Sequence, residues 1–442
     1  MKKLKLHHLI FMAMILGAVF GFLTNVDGRL FGIPVLGLYT LLGDIFLNAL
    51  KMVVIPLIML AVVNGMISVG NDDHIGRLGF KTTSFYLVSC TVAVFIGLAA
   101  ANIFMPGIIN GVPAKEMLGL AASTTDVLQR VEGRSIGDFG QILLQFFPAN
   151  LVQAAGDNQL LGLIVFALLC GFFLNKTNGK AAETLKDVVN ASYDVIMKIT
   201  MLIISFAPIG VFGLIAAIVT RTGFDAMQPL AWFFLTVVVA LFVHAFVVST
   251  LAVKILTRRS PVRLLQAMFP ALLTAFSSAS SAATLPINME CAHNRAGISK
   301  RVTSFMMPLG ATVNMNGTAL YECVAVIFIA QAYGMHLSLT TQFFIVIAAV
   351  LTSIGVAAVP AASLVAITLI LTMVGLPAEA IGLILVTDRI LDMFRTSVNM
   401  WGDAIGATLV AHSEGEKSIL SLPVEEMEEK QLKLQAQEMQ RS

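Results

Sequence analysis

The stretch DRILDMFRTSVNMWGD, residues 388–403, sits inside a long apolar run that reads ILVTDRILDMFRTSVNMWGDAIGATLVA. It carries Asp388, Arg389, Asp392, Arg395 and Asp403, together with Asn399. At about 100° per residue on a helix, Asp388, Asp392, Arg395, Asn399 and Asp403 fall within about 80° of one another. A charge at the bilayer centre costs roughly 2.5–3.5 kcal/mol even on a lenient insertion scale, so this stripe faces a polar cavity or the protein interior. Two readings fit it: a structural ion-pair seam between packed helices, or a binding surface. An Asp beside an Arg, with more carboxylate and amide a turn further on, is what a zwitterion with an acidic side chain needs. That chemistry favours the second reading.

The surrounding composition sets the class. Of 442 residues, 57% are hydrophobic and 12% charged, with mean hydropathy +0.87. Soluble domains run near one quarter charged, so the chain reads as an all-α polytopic membrane protein. A net charge of +2 says nothing about nucleic acid, but no basic cluster is interleaved with aromatics, and no nucleic-acid partner is expected. Cys90, Cys170, Cys291 and Cys323 stand in or beside apolar segments at unrelated spacings, which reads as free thiols rather than a disulfide framework or metal site. The opening MKKLKLHH precedes LIFMAMILGAVFGFL without a small-residue cleavage site, and further spans follow. An uncleaved first helix is expected, its lysines placing the N-terminus in the cytoplasm.

Apolar runs predict helices near 8–25, 40–69 and 82–105, the last holding Tyr86, Ser89 and Cys90. A turn-rich loop covers 106–135, and a fourth region, 138–174, is interrupted by Pro148 and Asn150. Helices five (186–219) and six (229–257) follow. Lys254, Arg258, Arg259 and Arg263, with Lys300 and Arg301, mark a cytoplasmic side. The segment GRSIG, 133–137, matches the serine-hydrolase elbow pattern but has no strand before it and no partner His, and reads as chance.

The last 180 or so residues break the pattern, because a crossing needs about 20 apolar residues. LLQAMFPALLTAF and TLPINMECA are each too short to span, and SSASSAA joins them into an expected re-entrant hairpin. Helix seven, 302–331, contains NMNGTALYE with Glu322. TQFFIVIAAVLTSIGV and LVAITLILTMVGL then flank AAVPAAS, a second interrupted run. Two broken segments, each followed by a helix bearing polar residues, indicate inverted repeats around a binding site, since non-helical backbone at membrane depth is tolerated only around a cavity. The tail from about 413 is polar and reads as a solvated cytoplasmic appendage.

SSASSAATLP (277–286), NMNGTALYE (314–322), SIGVAAVPAAS (353–363) and DRILDMFRTSVNMWGDAIGA (388–407) together resemble the dicarboxylate/amino acid:cation symporter family, which includes the excitatory amino acid transporters. The resemblance implies eight transmembrane helices plus two re-entrant helical hairpins, inverted repeats and an elevator-type homotrimer in the lipid bilayer. Residues 1–79 and 138–226 would form the scaffold. Residues 80–137, with loop 106–137, and 227–412 would form the moving transport domain. Residues 413–442 would be a cytoplasmic tail, and the protein a multi-pass occupant of the inner membrane with both termini cytoplasmic.

By the same resemblance, Asp392 holds a substrate ammonium and Arg395 grips a side-chain carboxylate, which a guanidinium fork binds bidentately. Members that take neutral amino acids usually lack that Arg, and the dicarboxylate branch lacks the aspartate at Asp392. Thr318, Thr396 and Asn399 add hydrogen bonds. Ser280, Ser281 and Val359, at the two hairpin tips, act mainly through backbone groups. Asp403 with the backbone of Asn314 and Asn399 resembles a first sodium site, and backbone near Thr312, Ser353 and Ile354 a second. A third, at Tyr86, Ser89 and Asn316, departs from the family: Asn316 replaces an aspartate, and Cys90 stands where a hydroxyl residue usually sits. Loss of a buried carboxylate removes the charge that offsets ion dehydration, so this site is expected to be weak or absent. Ala358, Ala361 and Ser363 replace family glycines and should stiffen the second hairpin. Glu322 matches the proton-carrying glutamate of the eukaryotic branch; helix packing is its alternative role.

The expected function is secondary transport of L-glutamate or L-aspartate, without enzymatic chemistry or a cofactor. Sodium coupling is expected to be reduced or lost, with Na+ or H+ as the coupling ion and protons the substitute. Full sodium coupling, neutral amino acids or C4-dicarboxylates remain alternatives. A membrane-embedded hydrolase using Ser280 or Ser281 is a remote one, since no base stands beside either serine in sequence.

Overall fold

In lipid a backbone must satisfy its own hydrogen bonds, and these apolar runs do so as helices. The computed structural model describes residues 6–30, 32–68, 76–118, 147–156, 160–223, 227–335, 337–355, 362–377, 380–430 and 433. The first half contains α1 (Leu6–Leu23), α2 (Val35–Ser68), α3 (Gly76–Phe104), α4 (Leu151–Gly156), α5 (Leu160–Lys176), α6 (Lys180–Ser205) and α7 (Ala207–Thr222). Then come α8 (Met227–Phe242), a π-helical stretch Val243–Val248, α9 (Ser249–Thr257), α10 (Pro261–Ser278) and α11 (Ser281–Glu290). A second π stretch, Cys291–Arg295, leads to α12 (Lys300–Val313), α13 (Asn316–Ala332), α14 (Leu339–Gly355), α15 (Ala362–Met373) and α16 (Ile381–Ser413). Three stretches among the described residues, Arg77–Phe104, Met227–Thr257 and Lys300–Ala332, are long and apolar enough to cross a membrane.

Two packing groups are evident. α7 lies against α1 and α2, with Gly17 and Gly21 of α1 closing on Phe212 and Ala216. α13 is buried along its whole length between α3, α14, α15 and α16. α16 packs on α8, α10, α12 and α13, so its polar stripe lies at the centre of the second group.

Several expectations need correction. Helix five is two helices, α6 and α7, broken at Phe206; Pro208 in the first turn of α7 has no N–H for a continuous ladder. Helix seven likewise divides into α12 and α13, because Asn314 (φ −91°, ψ 73°) and Met315 (φ −102°, ψ 44°) leave helical geometry. The fold is not purely α: Arg29–Leu30 pairs with Ile33–Pro34, and Ile108–Ile109 with Val112–Pro113, both antiparallel. Gly32 and Gly111 supply the positive φ those tight turns require. The tail is not a solvated appendage over its first part. Ile419, Leu420 and Met427 are buried, and the segment lies against the turn before α12 through Ala296 and Gly297.

The serine-rich segment forms the joint of two short helices. Ser260 caps α10, and Ser280 caps α11 by accepting from the Ala283 N–H at 3.3 Å. Ala279 is left-handed (φ 48°), which turns the chain between the two helices. At about 1.5 Å per residue, the 10 residues of α11 span about 15 Å, half of a core about 30 Å thick, and the 18 of α10 about 27 Å. Residues 356–361, the joint between α14 and α15, lie outside the described residues and include Val359, Ala358 and Ala361.

Candidate functional site

Helical periodicity brings Asp388, Asp392 and Arg395 to one side of α16, and burial forces them to pair. Arg395 is fully buried. Its Nη2 donates to Asp388 Oδ1 and Asp392 Oδ1, each at 3.0 Å, and its Nη1 donates to Ser363 Oγ at 2.8 Å. The guanidinium also lies 4.0 Å from the ring centre of Tyr321, a cation–π contact in a desolvated setting. Arg389 reaches Asp392 Oδ2 at 3.5 Å from the more open side. The site thus matches two carboxylates with two guanidinium groups, and Arg395 is engaged by the protein's own side chains. A guest carboxylate would have to exchange with Asp388 or Asp392.

A hydrogen-bonded amide extends the site along α16. Asn399 Oδ1 accepts from the Gly317 N–H at 2.8 Å, and its Nδ2 donates to Thr318 Oγ1 at 3.2 Å. This fixes the start of α13 against α16. Thr396 is buried beside Arg395 in the sequence. Ser281 is buried, while Ser280 is engaged as a helix cap. The hairpin touches the site helix where Ser397 Oγ donates to the Leu272 carbonyl at 3.2 Å. Val359 lies outside the described residues.

A second polar cluster forms where α12 breaks into α13. Asn314 Nδ2 donates to Asp403 Oδ1 at 2.8 Å. Asp403 Oδ2, Asn314 Oδ1 and Asn316 Oδ1 are buried and have no hydrogen-bond partner among the described residues. Buried carboxylate and amide oxygens left unpaired cost energy, and hard oxygens of this kind suit a hard cation. Gly402 and Gly310 make the approach possible. A Cβ on Gly402 would stand 2.6 Å from Asn316 Nδ2 and 2.9 Å from Asn314 Nδ2; one on Gly310 would overlap the Asp403 carboxylate.

The expected third ion site is arranged differently. Asn316 Nδ2 donates to Ser89 Oγ at 3.0 Å and lies 3.1 Å from His244 Nε2. Tyr86 donates its hydroxyl proton to the Met306 carbonyl at 2.7 Å. Cys90 Sγ is 3.2 Å from Ser353 Oγ. His244 escaped the sequence reading. Its signal was a lone imidazole in the apolar run VVVALFVHAFVVST, and the π stretch on which it sits sets its aim. For the second ion site, Thr312 Oγ1 donates to Leu309 O at 3.0 Å and Ser353 Oγ to Val350 O at 2.8 Å. Ile354 lies in α14 beside Ser353, and α12 packs on α14.

Glu322 is fully buried on α13 and faces α14. Thr352 Oγ1 stands 2.8 Å from Glu322 Oε2 and also 2.8 Å from the Ala348 carbonyl. One hydroxyl proton has three acceptors here, the third being the Ala349 carbonyl at 3.2 Å. An ionised Glu322 accepts it; a protonated Glu322 can donate to Thr352, whose own proton then turns to Ala348.

A family model described as the sodium:dicarboxylate symporter family matches residues 6–413. The proton/glutamate-aspartate symporter of Escherichia coli (strain K12) is 34% identical, over 92% of this chain and 92% of its own length. The proton/sodium-glutamate symport protein of Bacillus subtilis (strain 168) is 34% identical over the same shares. Excitatory amino acid transporter 3 of Mus musculus is 33% identical, over 90% of this chain and 83% of its own.

Proposed function

We propose, since this chain belongs to the sodium:dicarboxylate symporter family, that it is a secondary transporter of L-glutamate or L-aspartate. The family consists of transporters, so the hydrolase reading of Ser280 and Ser281 falls. The observation that carries the substrate assignment is Arg395, wholly buried and held by Asp388, Asp392 and Ser363. A substrate side-chain carboxylate takes the guanidinium fork, and the substrate ammonium takes the Asp392 carboxylate so released. Each buried charge exchanges one partner for another, which avoids the several kcal/mol cost of leaving a buried ion unpaired. Thr318, Thr396 and Asn399, with the backbone at Ser280 and Ser281, add hydrogen bonds to the substrate; the family resemblance gives the same role to Val359, outside the described residues.

Coupling follows from the second cluster and from Glu322. The unpaired oxygens around Asp403 support a first cation site, with Asn314 and Asn399; a second, from backbone near Thr312, Ser353 and Ile354, is proposed on the family resemblance alone. At the third, Asn316 brings a neutral amide whose Nδ2 is taken up by Ser89 and lies against His244, so its free oxygen adds no charge to offset the dehydration of an ion. Sodium coupling is therefore reduced, and Glu322 carries a proton in its place through the Thr352 hydrogen-bond switch. Full sodium coupling is the alternative, favoured by the oxygens around Asp403.

The wider architecture is proposed on the family resemblance. The chain has eight transmembrane helices, two re-entrant hairpins (α10–α11 and α14–α15) and inverted repeats, in a homotrimer at the inner membrane with cytoplasmic termini. Residues 1–79 and 138–226 are the scaffold. Residues 80–137 and 227–412 are the transport domain that moves as an elevator.

The deciding experiment is binding of glutamate and aspartate to the purified protein, with sodium present and absent, across pH. Saturable binding that Arg395→Ala abolishes supports the reading. Equal binding of the wild type and Arg395→Ala overturns it.

A further inference from the structure

The segment after α16 folds back on the molecule and binds several remote parts of it. Glu414 pairs with Lys81 (2.5 Å) and Arg77 (3.4 Å) at the start of α3. Arg259 Nη2 donates to the Lys417 carbonyl at 3.0 Å, and Arg263 Nη1 to the Leu420 carbonyl at 3.3 Å. The densest contacts fall on the turn between α11 and α12. Glu416 accepts from both the backbone N–H (3.0 Å) and the hydroxyl of Ser299. Leu420 donates its N–H to Ala296 O at 2.9 Å, Ser418 Oγ donates to Gly297 O at 3.0 Å, and Glu428 pairs with Arg295 at 3.0 Å.

Burial indicates which of these contacts hold the segment. The Arg295–Glu428 pair is partly exposed, and such pairs contribute little. Met427 and Ile419 are almost wholly removed from solvent, and the Met427 thioether packs against Gly297 in the space that a Cβ would occupy. A buried Met or Ile contributes roughly 1.5–3 kcal/mol, so the apolar plug outweighs the surface ion pairs. Leu420 adopts a left-handed φ of 50°, uncommon for a bulky residue, and is held there by its bond to Ala296.

The clamped turn is the hinge end of the hairpin. α10 and α11 meet at Ala279–Ser280, and the only other attachments of this helix pair to the chain are the Arg258–Ser260 link and the 291–299 turn. The segment grips both: Arg259 and Arg263 at one, Ala296, Gly297 and Ser299 at the other. The far side of α10 lies on the site helix through Leu272 and Ser397.

From this geometry we infer that residues 414–428 are an intramolecular latch that holds the base of the α10–α11 hairpin and limits its movement relative to α12 and α16. Undocking the latch frees the hairpin locally without melting the helices around the site. The latch holds the hairpin whether or not substrate is bound.

The test is hydrogen–deuterium exchange of the full chain in lipid nanodiscs. Met427→Asp puts a charge into the apolar plug; exchange at 261–299 is expected to rise about tenfold while α3, α13 and α16 keep their rates, as for a local opening. Glu429→Gln, at an exposed pair with Lys433, is the control and leaves the hairpin unchanged. If Met427→Asp does not fold, Glu416→Gln is read in the same way, with a smaller local rise. A uniform rise over all helices, or no rise at 261–299, overturns the latch. No substrate enters the measurement, so its failure is separate from failure of the transport assignment.

Discussion

Arg395 reaches back along its own helix to place Nη2 3.0 Å from Asp388 Oδ1. The spacing of seven residues is about two turns, so both side chains leave one face of α16. Neither has bulk water to replace the other: Arg395 is fully buried and Asp388 nearly so. The pair therefore sets the charge state of the site before any substrate arrives.

Removing the guanidinium strands Asp388 and leaves Asp392 only its 3.5 Å contact with Arg389. Arg395→Ala should destabilise the protein by about 3–5 kcal/mol, the cost of breaking a buried pair from one side. Arg395→Lys keeps a charge but loses the fork, and should weaken glutamate binding roughly 100-fold, since the two residues differ in geometry rather than charge. Calorimetric binding and thermal unfolding in detergent measure both effects.

Asn316 tests the coupling assignment. As an amide it donates to Ser89. Asn316→Asp replaces that donor with a carboxylate beside the unpaired oxygens of Asn314 and Asp403. Sodium should then raise the unfolding midpoint by several degrees more than in the wild type, because an ion bound only by the native state stabilises it. An unchanged sodium response would count against a lost third site.

Gly402 reports on the close approach of α12, α13 and α16. Gly→Ala in a helix normally stabilises by roughly 0.5–1 kcal/mol. Here the new methyl meets Asn316 Nδ2 at 2.6 Å and Asn314 Nδ2 at 2.9 Å, and both amides are buried between packed helices. Gly402→Ala should therefore destabilise by about 1–3 kcal/mol, the usual range for overpacking. Urea or thermal unfolding gives the sign.

Glu322→Gln keeps a hydrogen-bonding group opposite Thr352 but cannot release a proton. Uptake driven by an imposed proton gradient should fall at least tenfold, equivalent to about 1.4 kcal/mol in the barrier to proton-coupled transport. Exchange of labelled for unlabelled substrate should persist. Liposome uptake with separate proton and sodium gradients distinguishes the two activities.

The Glu414 contact should have its own pH dependence. The hydrogen bond from Lys81 lowers the Glu414 carboxyl from its ordinary value; it outweighs the opposing push of burial, and the charges of Lys81, Arg77 and Arg301 add to it. A depressed value means the contact stabilises the fold above the ordinary carboxylate range near 4.3 and loses that contribution as pH falls through the lower folded value. The attachment of the tail to α3 should be constant from about pH 6 to 8 and weaken only in strong acid. The methyl resonance of Met427, followed by NMR through an acid titration, should shift at low pH in the wild type. Glu414→Gln should remove that part of the transition.

The sequence by itself determined the helical membrane class, the one-sided stripe on α16 and the broken character of residues 261–290. Those features depend on periodicity, on segment length and on the cost of charge in lipid, all of which are local to a stretch of chain. Only the tertiary structure decided that Arg395 is held by Ser363 as well as by Asp388 and Asp392, that helix seven opens at Asn314, and that His244 meets Asn316. It also decided that the polar tail docks through Ile419 and Met427. In each case the partners lie far apart in the chain or the apolar face is brief. Which of them meet is fixed by how whole helices pack, a relation no single stretch encodes.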